Sequence, residues 1–299
     1  MARWDKAAPQ KTIPDWFFEA VETPATAHKV EVEECDVCYR VWEGDRSRPL
    51  LLVHGMNAHS HWWDFIAPQL TPQYHVVALD LTGMGDSDYR YDYSADTFSE
   101  EIRAVADAAE LSSDVIIAAH SFGGRVALHA AARWPERFGG LILLDSGIRA
   151  PDEEELERPP MGGSKLYPSR EVAEARFRLQ PPQSCENEYI LQYIARHSLM
   201  PEDGGFVWKF DDDLRDSLQG FDDMEADFQK LAVPLRLFYG ADSALYTARS
   251  MEYMASLVPA ALQPVAITAL DNAQHHLFLD QPQAFLQVLR DELEAIGQA

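Results

Sequence analysis

The sequence predicts an α/β protein, with a mostly parallel eight-stranded sheet flanked by helices and interrupted by one helical insertion. Three observations predict it. Short continuous apolar runs alternate with segments whose apolar residues recur about every 3.6 positions. A lone serine separates one such run from one such helix, and the alternation lapses only between about Ser146 and Gly220.

Residues 1–27 read as an N-terminal extension, with a short helix over 14–21 covering one edge of the core. Between Lys29 and Trp42 the alternation of Val30 and Val32, then Val37, Tyr39 and Val41, predicts two antiparallel strands joined near Glu34. The runs at 50–53 and 75–79 are apolar but for His75 at the start of the second, as expected of strands covered on both faces. Further strands are expected at 115–119, 141–144, 235–239 and 265–267, and helices at 62–70, 98–111, 122–134, 246–257 and 282–296. Strands joined by helices pair in parallel, which places the active edge at their carboxyl ends. The core therefore comprises 28–145 and 221–299. The intervening 146–220 is rich in proline and acidic residues, with helical stretches at 171–179 and 188–197. A structureless loop of that length is improbable in a compact domain, so this segment is expected to form a helical cap, or lid, over the strand ends.

Composition narrows the function classes. The formal charge of −24 argues against nucleic acid or an anionic membrane as partner, because both repel an acidic surface. A small-molecule substrate is the expected partner, and monomer and dimer both remain open. Residues 1–10 lack the apolar core of a signal peptide, and no apolar run approaches the roughly 20 residues that span a bilayer. A cytoplasmic protein is the resulting expectation. Three cysteines do not suggest a disulfide framework, and Cys35-Asp36-Val37-Cys38 lacks the second ligand pair a zinc site needs.

The chemistry centres on Ala119-His120-Ser121-Phe122-Gly123. Small residues two positions before and two after Ser121 suit a sharp strand-to-helix turn, where larger Cβ groups would collide. Such a turn exposes the hydroxyl at the sheet edge and aims the Phe122 amide as an oxyanion donor. A plain helix N-cap is the competing reading of the same serine. Among ten histidines, His275 stands best for a base, because it follows the final strand and precedes the final helix.

At this point the chain resembles the α/β-hydrolase superfamily, whose final motif places a catalytic histidine seven residues before a proline, as His275 stands before Pro282. His276 is the alternative base. Two further stretches carry the resemblance. Val53-His54-Gly55-Met56 looks like the family's His-Gly turn, which implies Met56 as the second oxyanion amide. Asp80-Leu81-Thr82-Gly83-Met84-Gly85-Asp86-Ser87 looks like its Asp-x-x-Gly-x-Gly-x-Ser loop, although the family more often has arginine where Thr82 stands. His59 and His61, flanking Ser60, read as polar loop residues rather than metal ligands.

The resemblance implies a Ser-His-Asp triad with Ser121 as nucleophile and His275 as base. Two carboxylates compete for the third place. Many relatives take the acid three residues beyond a glycine after the insertion; here Ser243 holds that position and Asp242 is one short. Others take it 24 residues after the nucleophile, where Asp145 stands. Asp145 is favoured and Asp242 is the alternative. His54, Gly55, His120 and Trp208 are the expected substrate contacts. The implied reaction is hydrolysis of a carboxylic ester or lactone through an acyl-enzyme, with no metal or organic cofactor. Two rivals remain: hydrolysis of a carbon-carbon bond in a carboxylate-bearing substrate, with Arg176 and Arg178 as cationic contacts, and a non-catalytic ligand-binding member of the fold.

Overall fold

A computed structural model describes residues 13–154 and 165–297. Its eight-stranded sheet comprises β1 (Thr26–Val32), β2 (Cys35–Trp42), β3 (Pro49–Val53), β4 (His75–Leu79), β5 (Ile116–His120), β6 (Gly140–Leu144), β7 (Leu235–Gly240) and β8 (Ala266–Leu270). The strand order is β1-β2-β4-β3-β5-β6-β7-β8. β2 is antiparallel to both neighbours, and pairing from β4 through to β8 is parallel. The β1–β2 turn falls at Glu33 and Glu34, both at positive φ, as a two-residue hairpin turn requires.

Alternating side chains on each strand feed two separate cores. On β5, Ile117 and Ala119 face one cluster, and Ile116 and Ala118 face the other. Helices α2 (Ala95–Ala108), α3 (Phe122–Arg133), α6 (Met224–Lys230) and α7 (Ala248–Leu257) cover the first face, through Phe98, Val126, Phe228 and Met251. The second face is covered by α1 (Asp15–Glu22) and α8 (Pro282–Gly297), through Phe17 and Phe285, with Trp62 and Trp63 from the loop after β3. Burying each such large side chain contributes roughly 1.5–3 kcal/mol, which explains why β3 to β6 are apolar apart from the terminal His75 and His120.

The expected helix over 62–70 is instead two fragments, a 3₁₀ turn Ser60–Trp63 and the four-residue helix Ala67–Leu70. Within the expected cap, α4 (Arg170–Glu174) is shorter than the predicted 171–179, and α5 (Glu188–His197) matches its prediction. The described part of the insertion is less helical than expected, because Leu199–Glu202 and Gly205–Trp208 pair as an antiparallel hairpin around Gly204 at positive φ. The insertion is pinned to the core by polar contacts: Tyr193 donates to Asp64 at 2.6 Å, Tyr93 donates to Asp211 at 2.6 Å, and Asn187 donates to the Leu279 carbonyl at 2.8 Å. Residues 1–12 and 155–164, including the Pro159-Pro160 pair, lie outside the described residues. Among the described residues, no helix is long and apolar enough to cross a membrane.

Thr82, the departure from the family's usual arginine, is buried against Glu101, which accepts from the Thr82 amide at 3.0 Å. Arg90 reaches the same place from eight residues on, its Nε 3.2 Å from Glu101 and 3.0 Å from the Thr82 hydroxyl. A guanidinium is thus supplied to this spot from position 90. Burial pushes the Glu101 carboxyl up to about 7, against the opposing pull of Thr82 and Arg90. A carboxyl whose folded value lies above its unfolded value binds its proton more tightly when folded, so stability falls as pH rises between the two. Arg90→Ala should extend that loss to higher pH and cost roughly 3–5 kcal/mol, because a buried charge loses its partner. Thermal melts at pH 6 and pH 8 check this: the variant's deficit should be larger at pH 8.

Candidate functional site

Ser121 lies between β5 and α3 with φ 53° and ψ −123°, a conformation side chains rarely adopt. Its neighbours make that geometry attainable. A Cβ at Gly123 would sit 2.1 Å from the His54 carbonyl oxygen, and one at Gly124 would sit 2.3 Å from Ser146 Oγ. Only glycine lets α3 begin this close to the sheet. No side-chain cap holds the start of α3, so the Ser121 hydroxyl does not serve as the N-cap that the competing reading proposed.

The hydroxyl instead meets His275, whose Nε2 is 2.9 Å from Ser121 Oγ. The other ring nitrogen, Nδ1, is 2.6 Å from Asp145 Oδ2. His275 is 2 % exposed and Asp145 is fully buried, so this chain of contacts is shielded from water apart from the half-buried Ser121. Three strand ends supply the three residues: Ser121 follows β5, Asp145 follows β6 and His275 lies beyond β8. Asp145 also has positive φ, at 46°. Its carboxylate accepts from the Gly240 amide at 3.1 Å and from the Ser243 hydroxyl at 2.8 Å.

Of the two competing acids, the structure brings Asp145 to His275. Asp242 is exposed, and its backbone amide donates to the Ala273 carbonyl at 2.9 Å. Ser243, at the place where many relatives carry the acid, donates its hydroxyl to Asp145. The hydroxyl of that serine is the sequence signal for a donor at this position. His276, the alternative base, makes no bond to Ser121. It packs against His120 and Trp62 at ring distances of 5.3 and 5.4 Å, and burial holds its pKa well below the usual value.

Met56 and Phe122, the expected oxyanion donors, flank the serine. Phe122 opens α3, where the first amides of a helix have no partner within it. Gly55 brings the Met56 turn close, since a Cβ there would lie 3.1 Å from the Ser121 Cβ. Two of the expected substrate contacts have backbone partners. His54 spends both ring nitrogens on backbone, donating from Nδ1 to the Gly55 carbonyl at 2.7 Å and accepting the Leu81 amide on Nε2 at 3.1 Å. His120 Nε2 donates to the His275 carbonyl at 3.0 Å. Both rings are buried and brace the loops beneath the serine. Trp208 lies on the insertion beside Phe177, at 5.9 Å between rings, and both line a cavity that begins at Met56.

The histidines near the site do not form a ready metal centre. His120, His275 and His276 lie close enough to share an ion, but His275 has both nitrogens committed to Ser121 and Asp145. Near His59 and His61, Asp64 lies 2.7 Å from His61 Nδ1. That carboxylate is also held by Arg40 and by Tyr193, and His59 Nε2 is paired with Ser198 Oγ at 2.7 Å. Cys35 and Cys38 are free thiols whose pKa burial pushes up, which disfavours the thiolate that metal binding needs.

Comparison with known proteins bears on the family and the fold. The sequence model described as the alpha/beta hydrolase family matches residues 50–288. A pimeloyl-[acyl-carrier protein] methyl ester esterase of Neisseria meningitidis is 27% identical over 265 residues, covering 84% of this chain and 96% of that protein. An esterase of Mycobacterium tuberculosis is 25% identical over 270 residues, covering 85% of each. Among solved structures, the thioesterase domain from the curacin biosynthetic pathway shares the fold with a TM-score of 0.72 at 23% identity, covering 89% of this chain and 99% of that one.

Proposed function

The chain belongs to the alpha/beta hydrolase family, and from that premise we propose that it is a serine hydrolase of carboxylic esters, acting through Ser121, His275 and Asp145. The observation that carries the reading is the unbroken line of hydrogen bonds from Ser121 Oγ through both ring nitrogens of His275 to Asp145. In this reading the Ser121 oxygen attacks the ester carbonyl while His275 Nε2 takes its proton. Asp145 accepts a hydrogen bond from Nδ1–H, fixes the tautomer and, remaining ionised, stabilises the imidazolium formed when Nε2 takes the serine proton. The amides of Met56 and Phe122 receive the developing oxyanion, each worth about 3 kcal/mol in the barrier. His275 then protonates the leaving alcohol, and water releases the acyl group by the same steps in reverse order. No step calls on a metal or organic cofactor, and the substrate is a small molecule.

Segment 146–220 serves in this reading as a cap, with Trp208 against the substrate and the insertion's polar ties to the core holding it over the strand ends. His54, Gly55 and His120 act from behind, as braces of the reacting groups. The family's thioesterase and esterase relatives support acyl transfer to water over carbon-carbon hydrolysis, the second reading, which draws only on Arg176 and Arg178.

Two measurements test the proposal: turnover of p-nitrophenyl acetate, and covalent labelling by a fluorophosphonate mapped by mass spectrometry. Label on Ser121 together with ester turnover is expected; label on another residue would move the nucleophile. Ser243→Ala probes the acid's support. Losing that donor to Asp145 should cost about 1–2 kcal/mol, roughly a tenfold fall in kcat with little change in KM.

A further inference from the structure

A cavity of about 270 Å³ opens beside Met56 and runs between the core and the insertion, near the lower end of the range for small-molecule sites. Its core wall includes His59 and Trp62, and its outer wall is drawn from Lys165, Arg176, Arg178 and Lys209 together with aromatic rings. All four of these ionisable lysine and arginine groups are cationic, and no carboxylate is among the described residues that line the cavity. The chain as a whole carries 49 acidic residues against 25 basic ones, so a wall of one sign, and that the minority sign, runs counter to the composition.

The four cations are not equally available. Lys209 is held by Asp86 at 2.5 Å, and Arg178 is braced through Nη1 by the carbonyls of Phe177 and Ala175. Arg176, Arg178 and Lys165 form no ion pair with a described carboxylate. Deeper in, the buried indole N–H of Trp62 has no hydrogen-bond partner among the described residues. Opposite it, His59 is fixed in one tautomer. The Ser198 hydroxyl donates to the Ile194 carbonyl, so His59 Nε2–H must donate to Ser198, and burial keeps the ring neutral.

We propose that this cavity receives the far end of an ester whose acyl chain terminates in a carboxylate, held by Arg176 and Arg178 while the ester carbonyl lies at Met56. Planar guanidinium groups match a carboxylate in charge and shape. The Trp62 N–H adds a neutral donor along the chain's path. Solvent weakens the attraction at the exposed arginines, so selectivity rather than extreme affinity is the expected result. This inference rests on the ester-hydrolase reading for its reaction, but its binding site does not depend on that reading.

The test compares monomethyl succinate, adipate and suberate with methyl alkanoates of equal chain length, using intact protein at low ionic strength. Wild-type kcat/KM should favour the best half-ester over its neutral counterpart by about tenfold. In Arg176→Gln/Arg178→Gln that ratio should fall towards one, and Arg176→Glu/Arg178→Glu should invert it. Because each ratio is taken within one protein sample, partial misfolding cancels. Turnover of both ester types without a preference, or a preference unchanged in the variants, overturns the assignment and leaves the hydrolase reading intact. If no ester is cleaved, calorimetry of monomethyl adipate with Ser121→Ala protein decides. Binding about tenfold weaker when both arginines are also replaced by glutamine sustains the site, and absent or unchanged binding overturns it.

Discussion

Ser121→Ala should lower ester turnover by about 10⁵–10⁶-fold, to the level of a protein that merely binds substrate near an oxyanion hole. The size follows from the coupling of the three side chains. His275 Nε2 has no proton to take once the hydroxyl is gone, and Asp145 then orients a base with no task. Loss of one member of such a unit costs almost as much as loss of all. Alanine fits the same turn, so the folded state should survive, and a far-ultraviolet spectrum matching wild type would separate lost chemistry from lost structure. Fluorophosphonate labelling should vanish with turnover. Residual activity within a hundredfold of wild type would overturn Ser121 as the nucleophile.

Asp145→Asn is expected to lower kcat by about 10⁴-fold, with Asp242→Asn close to wild type. The amide keeps the shape of the carboxylate but can present an N–H to His275 Nδ1, favouring the tautomer whose Nε2 carries a proton and cannot accept one from Ser121. Asp145 is fully buried and receives the Gly240 amide and the Ser243 hydroxyl, both donors suited to a charged carboxylate. Asp242 is exposed and lacks that surround. Steady-state kinetics on one ester for both variants checks the pair of expectations. A collapse of activity in Asp242→Asn with Asp145→Asn unaffected would reverse the assignment.

Strand positions were legible because parallel strands between two helical layers must be apolar on both faces, and runs such as Leu50-Leu51-Leu52-Val53 have no other economical explanation. Small residues around Ser121 pointed to the tight turn that the structure shows there, and the resemblance pointed to His275 through its interval to Pro282. The acid was harder to fix, because two strand ends offer a carboxylate and only tertiary packing decides which one meets the imidazole. The backbone partners of His54 and His120 were illegible for the opposite reason. Their proximity to the serine was readable, but the direction of a ring nitrogen depends on which backbone groups need a partner. The hairpin at 199–208 escaped notice because its strands are short and partly exposed, which leaves little periodicity to detect.

The order of the strands has a consequence for how this protein comes into being. The proposed base, His275, is delivered after the last strand, at the sheet edge opposite β1, more than 150 residues from the hydroxyl it meets. A nascent chain halted before that strand therefore holds a serine with nothing to activate it. Recovered hydrolysis after denaturation would accordingly report completion of the whole scaffold, and silence would mark every unfinished intermediate.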